Sequence, residues 1–150
     1  MDRYVVLDSS PLGAAVGPGN RPITIRCREW LDRLKRSGTR VIVPAITDYE
    51  VRRDLIRRGV TVAITRLNAL GAEFEYDPLN REILHLAASC WAQCRRKGLP
   101  TADPHALDAD VILAAQAMLM GNPGDSVIVA TSNVRHLARF VDARDWATIV

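Results

Sequence analysis

"YVVLDSS", residues 4–10, sets four apolar residues in a row and then breaks on Asp8. Tyr4, Val5, Val6 and Leu7 form a continuous run of the kind that makes a strand buried on both faces. The break has two readings. An aspartate followed by Ser9, Ser10, Pro11 and, a little further on, Gly13 closes a strand with a turn or caps a helix; at the end of a buried strand it is also where a functional carboxylate would stand.

Working outward, apolar strands alternate with helical segments. "ITIRCREWLDRLKRSG" carries Ile25, Trp30, Leu31 and Leu34 at helical spacing and stops at Gly38. "RVIVP" is a second buried strand ended by Pro44; "AITDYEVRRDLIRRG" reads as a helix closed by Gly59, and "TVAITRLNALG" as one closed by Gly71. "EFEYDP" is a polar, edge-like strand. "LNREILHLAASCWAQCRRKG" is a long helix with Leu79, Ile83, Leu86, Ala87, Cys90 and Cys94 on its apolar side. "SVIVATSN" is a further buried strand, followed by a short helix from Val134 through His136 to Phe140, and "TIV" reads as a last edge strand. This alternation predicts a three-layer α/β/α domain on a central, mostly parallel sheet.

The 150 residues, 48% of them hydrophobic, suit one domain spanning the chain with a substantial core. No apolar run approaches the roughly 18 residues needed to span a bilayer, and Met1-Asp2-Arg3 leads straight into a strand. The expectation is a soluble, cytoplasmic protein with no membrane partner. Three cysteines, Cys27, Cys90 and Cys94, do not suggest a disulfide framework. Cys90 and Cys94 with His85 lack the paired knuckles of a structural zinc site and read as buried thiols. "GPGN", residues 17–20, lacks the lysine of a P-loop and is a plain loop.

In an open parallel sheet the carboxyl ends of the strands line one edge, where ligands bind. Asp8 and Asn133 follow two such strands, and Glu50 lies about one and a half turns into the helix after "RVIVP". "DPHALDADVILAAQAMLMG" supplies a further acid. Asp103 and Pro104 have the order of an N-cap and a first helical residue, with a restart capped at Asp108 as the alternative. Asp108 and Asp110 stand about 200° apart on a helix, so one of them faces the cleft. Asp110 is the choice, because it directly precedes the buried stretch and would sit in the positive field of the helix start. Acids crowded on one dry edge repel one another unless a cation neutralises them. Oxygen donors without a His or Cys cluster favour Mg²⁺ or Mn²⁺ over Zn²⁺. Phosphodiester hydrolysis fits that apparatus.

"VVLDSSPLG", "VPAITDYEVRRDL", "DADVILAAQA" and "VIVATSNVRHLARF", in that order, resemble the four motifs of the PIN domain family, and within it the VapC-type toxins. The resemblance implies a metal-dependent endoribonuclease with Asp8, Glu50 and Asp110 as metal ligands and catalytic acids, and with Asn133 at a fourth position that is acidic in the full pattern. It also implies a homodimer held inactive by a cognate antitoxin. Thr131 or Ser132 of "TSN" would hold a water or ligand, and Ser9 would support Asp8 or belong to a backbone turn. Arg53, one turn from Glu50, would bind the scissile phosphate or pair with that glutamate. The net charge of +3 and the "RRDLIRR" cluster, with Arg52, Arg57 and Arg58, permit an RNA partner or mark a solvated helix face. Rival readings are a PIN-like module that binds RNA or protein without cleaving, a housekeeping RNA-processing nuclease, and a small phosphatase using Asp8 as nucleophile. The phosphatase lacks its D-x-D motif.

Overall fold

A computed structural model describes residues 1–98 and 104–150. Five parallel strands form one sheet in the order β3-β2-β1-β4-β5. They are β1 (Arg3–Leu7), β2 (Arg40–Pro44), β3 (Glu75–Asp77), β4 (Ser126–Thr131) and β5 (Ala143–Asp145). The helices are α1 (Ser9–Ala15), α2 (Pro22–Arg36), α3 (Ala45–Arg58), α4 (Thr61–Glu73), α5 (Arg81–Arg96), α6 (Pro104–Met118) and α7 (Val134–Leu137).

The uninterrupted apolar runs are explained by position. β1 is central, and Val5, Val6 and Leu7 are fully out of water. Alternate residues serve opposite layers: Val5 and Leu7 join α1 and α2 residues such as Leu12, Trp30 and Leu34. Tyr4 and Val6 pack with Leu113 and Ala117 of α6. The small Ala114, Ala115 and Ala117 are buried, which lets α6 lie close to its neighbours. α5 completes that layer through Cys90 and Cys94, both buried and free.

The polar run after β1 is helical, with Asp8 as the N-cap of α1, as the helix-cap reading of the sequence had it. Several other sequence expectations need correction. α4 runs through Gly71 to Glu73, since that glycine keeps an ordinary negative φ, whereas Gly59, at φ 70°, does end α3. Ile25 is exposed and Cys27 takes the core position, because the buried face of α2 runs through Thr24, Cys27, Trp30, Leu31 and Leu34. Leu79 precedes α5 and is exposed. α7 ends at Leu137, short of Phe140. The last strand is Ala143–Asp145 rather than "TIV". Asp145 caps a 3₁₀ turn over Trp146–Thr148, and the Ile149 carbonyl accepts a hydrogen bond from Trp30 Nε1 at 2.9 Å. Asp103 lies outside the described residues.

One buried polar group ties the layers beneath the candidate site. The Gln116 side chain, 1% exposed, donates through Nε2 to the Asp77 carbonyl and to Asp77 Oδ2, both at 2.8 Å. Its Oε1 accepts from the Ile46 amide at 3.4 Å. α6 is thereby fastened to the end of β3 and the first turn of α3. Gln116→Leu removes these bonds and leaves the Ile46 amide without its partner. We expect it to destabilise the fold by about 1–3 kcal/mol, measured by urea unfolding.

Candidate functional site

Parallel pairing of Leu7 with Ala130 brings the residues just beyond β1 level with the end of β4. Asp8 follows β1 and is 8% exposed. Its Oδ1 accepts the Ser9 amide and its Oδ2 accepts the Thr131 hydroxyl, each at 2.7 Å. The fully buried Thr131 oxygen in turn accepts the Asn133 amide at 2.8 Å. The Ser132 amide donates to Ser10 Oγ at 2.9 Å, a second clip between the same two segments. Asp8 is thus both a helix cap and an oriented carboxylate, so the two readings of the sequence are compatible. A carboxylate has about four lone-pair sites, and these bonds use two.

Two further acids converge on it. Glu50 sits in the second turn of α3, and its carboxyl is pushed up from the ordinary 4.5 to about 7, first by burial and then by the Asp8 charge; Asp110 adds to the rise and Arg53 opposes it. Asp110 in α6 is raised from 3.8 to about 6, again by burial first and Asp8 second, against the lowering influence of His136 and Arg139. Asp8 therefore acts on both partners. Asp108 is exposed while the Asp110 side chain is 19% exposed, so the helix resolves that pair as its geometry demands. The expected dipole benefit is corrected: α6 begins at Pro104, which leaves Asp110 in the second turn, beyond the reach of the helix end.

The remaining expected residues divide. Ser9 serves Asp8 through its backbone amide. Thr131 holds Asp8, and Ser132 is bonded through its amide to Ser10. Asn133 is exposed at the N-cap position of α7, yet its side chain makes no capping bond. Arg53 lies 3.8 Å from Glu50 and over the Tyr49 ring. Arg52 is held by a two-point fork on Asp48 at 2.8 and 3.0 Å, and Arg57 pairs with Asp54 at 2.7 Å. Sequence reasoning missed Ser10 and His136, whose Nδ1 lies 3.8 Å from Asp110 Oδ2. For His136 a signal existed, since it stands three residues beyond Asn133, a helical spacing.

Among the described residues, no three His, Cys, Asp or Glu side chains form a ready metal cage. Carboxylate oxygens as donors suit a hard divalent cation over Zn²⁺. All three acids offer oxygen alone.

A profile of the PIN domain matches residues 5–146. This chain belongs to the PIN domain family. No curated protein matches it. Among solved structures, VapBC2 from Rickettsia felis, bound to a DNA fragment from its promoter, is similar with a TM-score of 0.72 and 13% identity over 95% of this chain and 98% of that one. VapBC-1 from nontypeable Haemophilus influenzae gives 0.65 and 18% identity over 97% and 99%. The Sarcin-Ricin loop cleaving toxin VapC20 of Mycobacterium tuberculosis gives 0.64 and 16% identity over 94% and 99%. At these identities the likeness is one of fold. Among the described residues no helix is long and apolar enough to cross a membrane.

The raised carboxyls dictate a pH dependence. Between their ordinary and raised values the folded protein holds more protons than the unfolded chain, so stability falls as pH rises from about 4 to about 7. Glu50→Gln removes the larger part of that slope. In metal-free buffer we expect the variant to gain on the order of 2 kcal/mol over wild type above pH 7 and to converge with it near pH 4, read by urea unfolding across pH.

Proposed function

We propose that this PIN domain is a Mg²⁺- or Mn²⁺-dependent endoribonuclease and the toxin of a type II toxin–antitoxin pair. The observation that carries the reading is the placement of Asp8 against both Glu50 and Asp110 at the carboxyl edge of the sheet, where each feels its charge. Asp8, Glu50 and Asp110 are the groups that would hold the cation, with the Asn133 amide oxygen as a neutral fourth donor. When bound, such a cation supplies charge neutralisation on a phosphoryl oxygen and a more acidic water. The chain's own part is orientation. Thr131 and the Ser9 amide fix the Asp8 carboxylate, His136 flanks Asp110, and Arg53 stands ready to exchange Glu50 for a phosphate.

The partner assignment draws on the neighbours: VapBC from Rickettsia, Haemophilus and Salmonella and FitAcB from Neisseria gonorrhoeae. By analogy this chain acts as a homodimer, takes RNA as substrate and is restrained by an antitoxin in the cytoplasm, with no part in a membrane.

Asp8→Asn, Glu50→Gln and Asp110→Asn are each expected to lower RNA cleavage in Mg²⁺ by more than about 100-fold, beyond what changes around a metal's outer shell cost, while Asp108→Asn stays near wild type. Retained cleavage by Asp8→Asn would overturn the catalytic assignment, and no cleavage by wild type in either metal would leave the binding-module reading in its place. Asn133→Asp adds a charge where the chain has only an amide, and should lower the Mg²⁺ concentration for half-maximal cleavage. An unchanged metal dependence would restrict Asn133 to the backbone of α7.

A further inference from the structure

The single turn of α7, four residues long, is too short to keep its place by helical hydrogen bonding, and contacts from other elements fix it. At its start the Asn133 amide donates to Thr131 Oγ1 at 2.8 Å and the Ser132 amide to Ser10 Oγ at 2.9 Å, so the entering loop is tied to β4 and to α1. At its end Leu137, fully buried, packs in one cluster with Ala109 and Leu113 of α6. Those two residues stand one before and three after Asp110, so the packing sets α7 against the turn that carries this acid.

This anchoring delivers His136. Its Nδ1 lies 3.8 Å from Asp110 Oδ2, and the ring is partly exposed. The separation is longer than a hydrogen bond, about 2.7–3.2 Å, and about 1 Å of side-chain movement closes it. A path of contacts thus joins two of the acids through the end of β4: Asp8 Oδ2 to the Thr131 hydroxyl, Thr131 Oγ1 to the Asn133 amide, and one turn of α7 to His136 and Asp110. An imidazole suits the last step. It carries at least one ring N–H in either protonation state, and the ligands of a metal are commonly held in place by such hydrogen-bond partners. As no more than a nearby positive charge, the ring would instead repel a cation.

We propose that His136 is a positioning residue of the cation site, holding Asp110 Oδ2 through its Nδ1–H so that the other carboxylate oxygen is left for the metal. The role rests on the reading of Asp8, Glu50 and Asp110 as a cation site, and it adds a group that touches neither the metal nor the RNA. Asp110 is then oriented from α7 as Asp8 is from Thr131 and α1.

Calorimetric titration of Mn²⁺ into wild type, His136→Ala, His136→Leu and His136→Asn tests the role, with urea unfolding of each protein. Leucine fills the space without an N–H, and the asparagine amide restores a donor close to the place of Nδ1. His136→Ala and His136→Leu are expected to weaken Mn²⁺ binding about tenfold, and His136→Asn to stay within about threefold of wild type. In cleavage assays the Mg²⁺ concentration for half-maximal rate rises for the first two variants, while KM for RNA at saturating Mg²⁺ does not change. Unchanged or tighter Mn²⁺ binding by the folded Ala or Leu variant overturns the role, tighter binding marking the ring as a mere charge. A loss that His136→Asn fails to restore also overturns it, making the ring itself a metal ligand. So does a raised KM for RNA with metal binding intact, the mark of a phosphate contact. Absence of Mn²⁺ binding by wild type overturns the cation reading, and the role of His136 falls with it.

Discussion

The contact on which the site depends is the pair of hydrogen bonds that pin the Asp8 carboxylate at the end of the central strand. One comes from the first amide of α1 and the other from Thr131 at the end of β4. Because β1 and β4 are parallel neighbours in fixed register, the carboxylate is positioned by the same pairing that builds the sheet. α3 leaves directly from β2, the strand on the other side of β1, and brings Glu50 to the same edge. α6, held against the sheet by Leu113 and Ala117 and fastened by Gln116, brings Asp110.

Such a site works against stability. Three carboxyls share a poorly solvated edge, and two of them are held well above their ordinary values by burial and by Asp8. The fold tolerates this because charge remains nearby without closing over the acids: Arg53 beside Glu50, and His136 and Arg139 acting on Asp110. Burial of Val5, Val6 and Leu7, together with Trp30, Leu113 and Leu137, offsets the strain. A preorganised but mutually repelling set of oxygen donors is what a divalent cation would relax.

The core strands and the placement of the acids were legible in the sequence because both follow from strong local signals. "YVVL" and "VIVAT" have one reading in a chain of alternating helices, and residues after parallel strands share one edge. That only one of Asp108 and Asp110 faces the cleft followed from helical angle, and the choice of Asp110 from its place just before the buried stretch. What stayed hidden depended on tertiary partners. Nothing in the stretch from Asp8 to Gly13 reveals that its polar residues make a helix, since Asp8 serves turn and cap equally; the helix settles against α2 and α3. "TIV" looks like a strand, but Asp145 captures the preceding residues in a tight turn and Trp30 claims the Ile149 carbonyl. The basic run "RRDLIRR" reads as one cluster, yet its arginines divide between Asp48, Glu50 and Asp54.

The most direct measurement of the central claim, that Asp8, Glu50 and Asp110 act together as a cation site, is calorimetric titration of Mn²⁺ into the purified protein at neutral pH. Wild type is expected to bind with a resolved heat, and Asp8→Asn, whose oxygen neighbours are otherwise unchanged, to lose it. Equal Mn²⁺ binding by the two proteins would contradict the account.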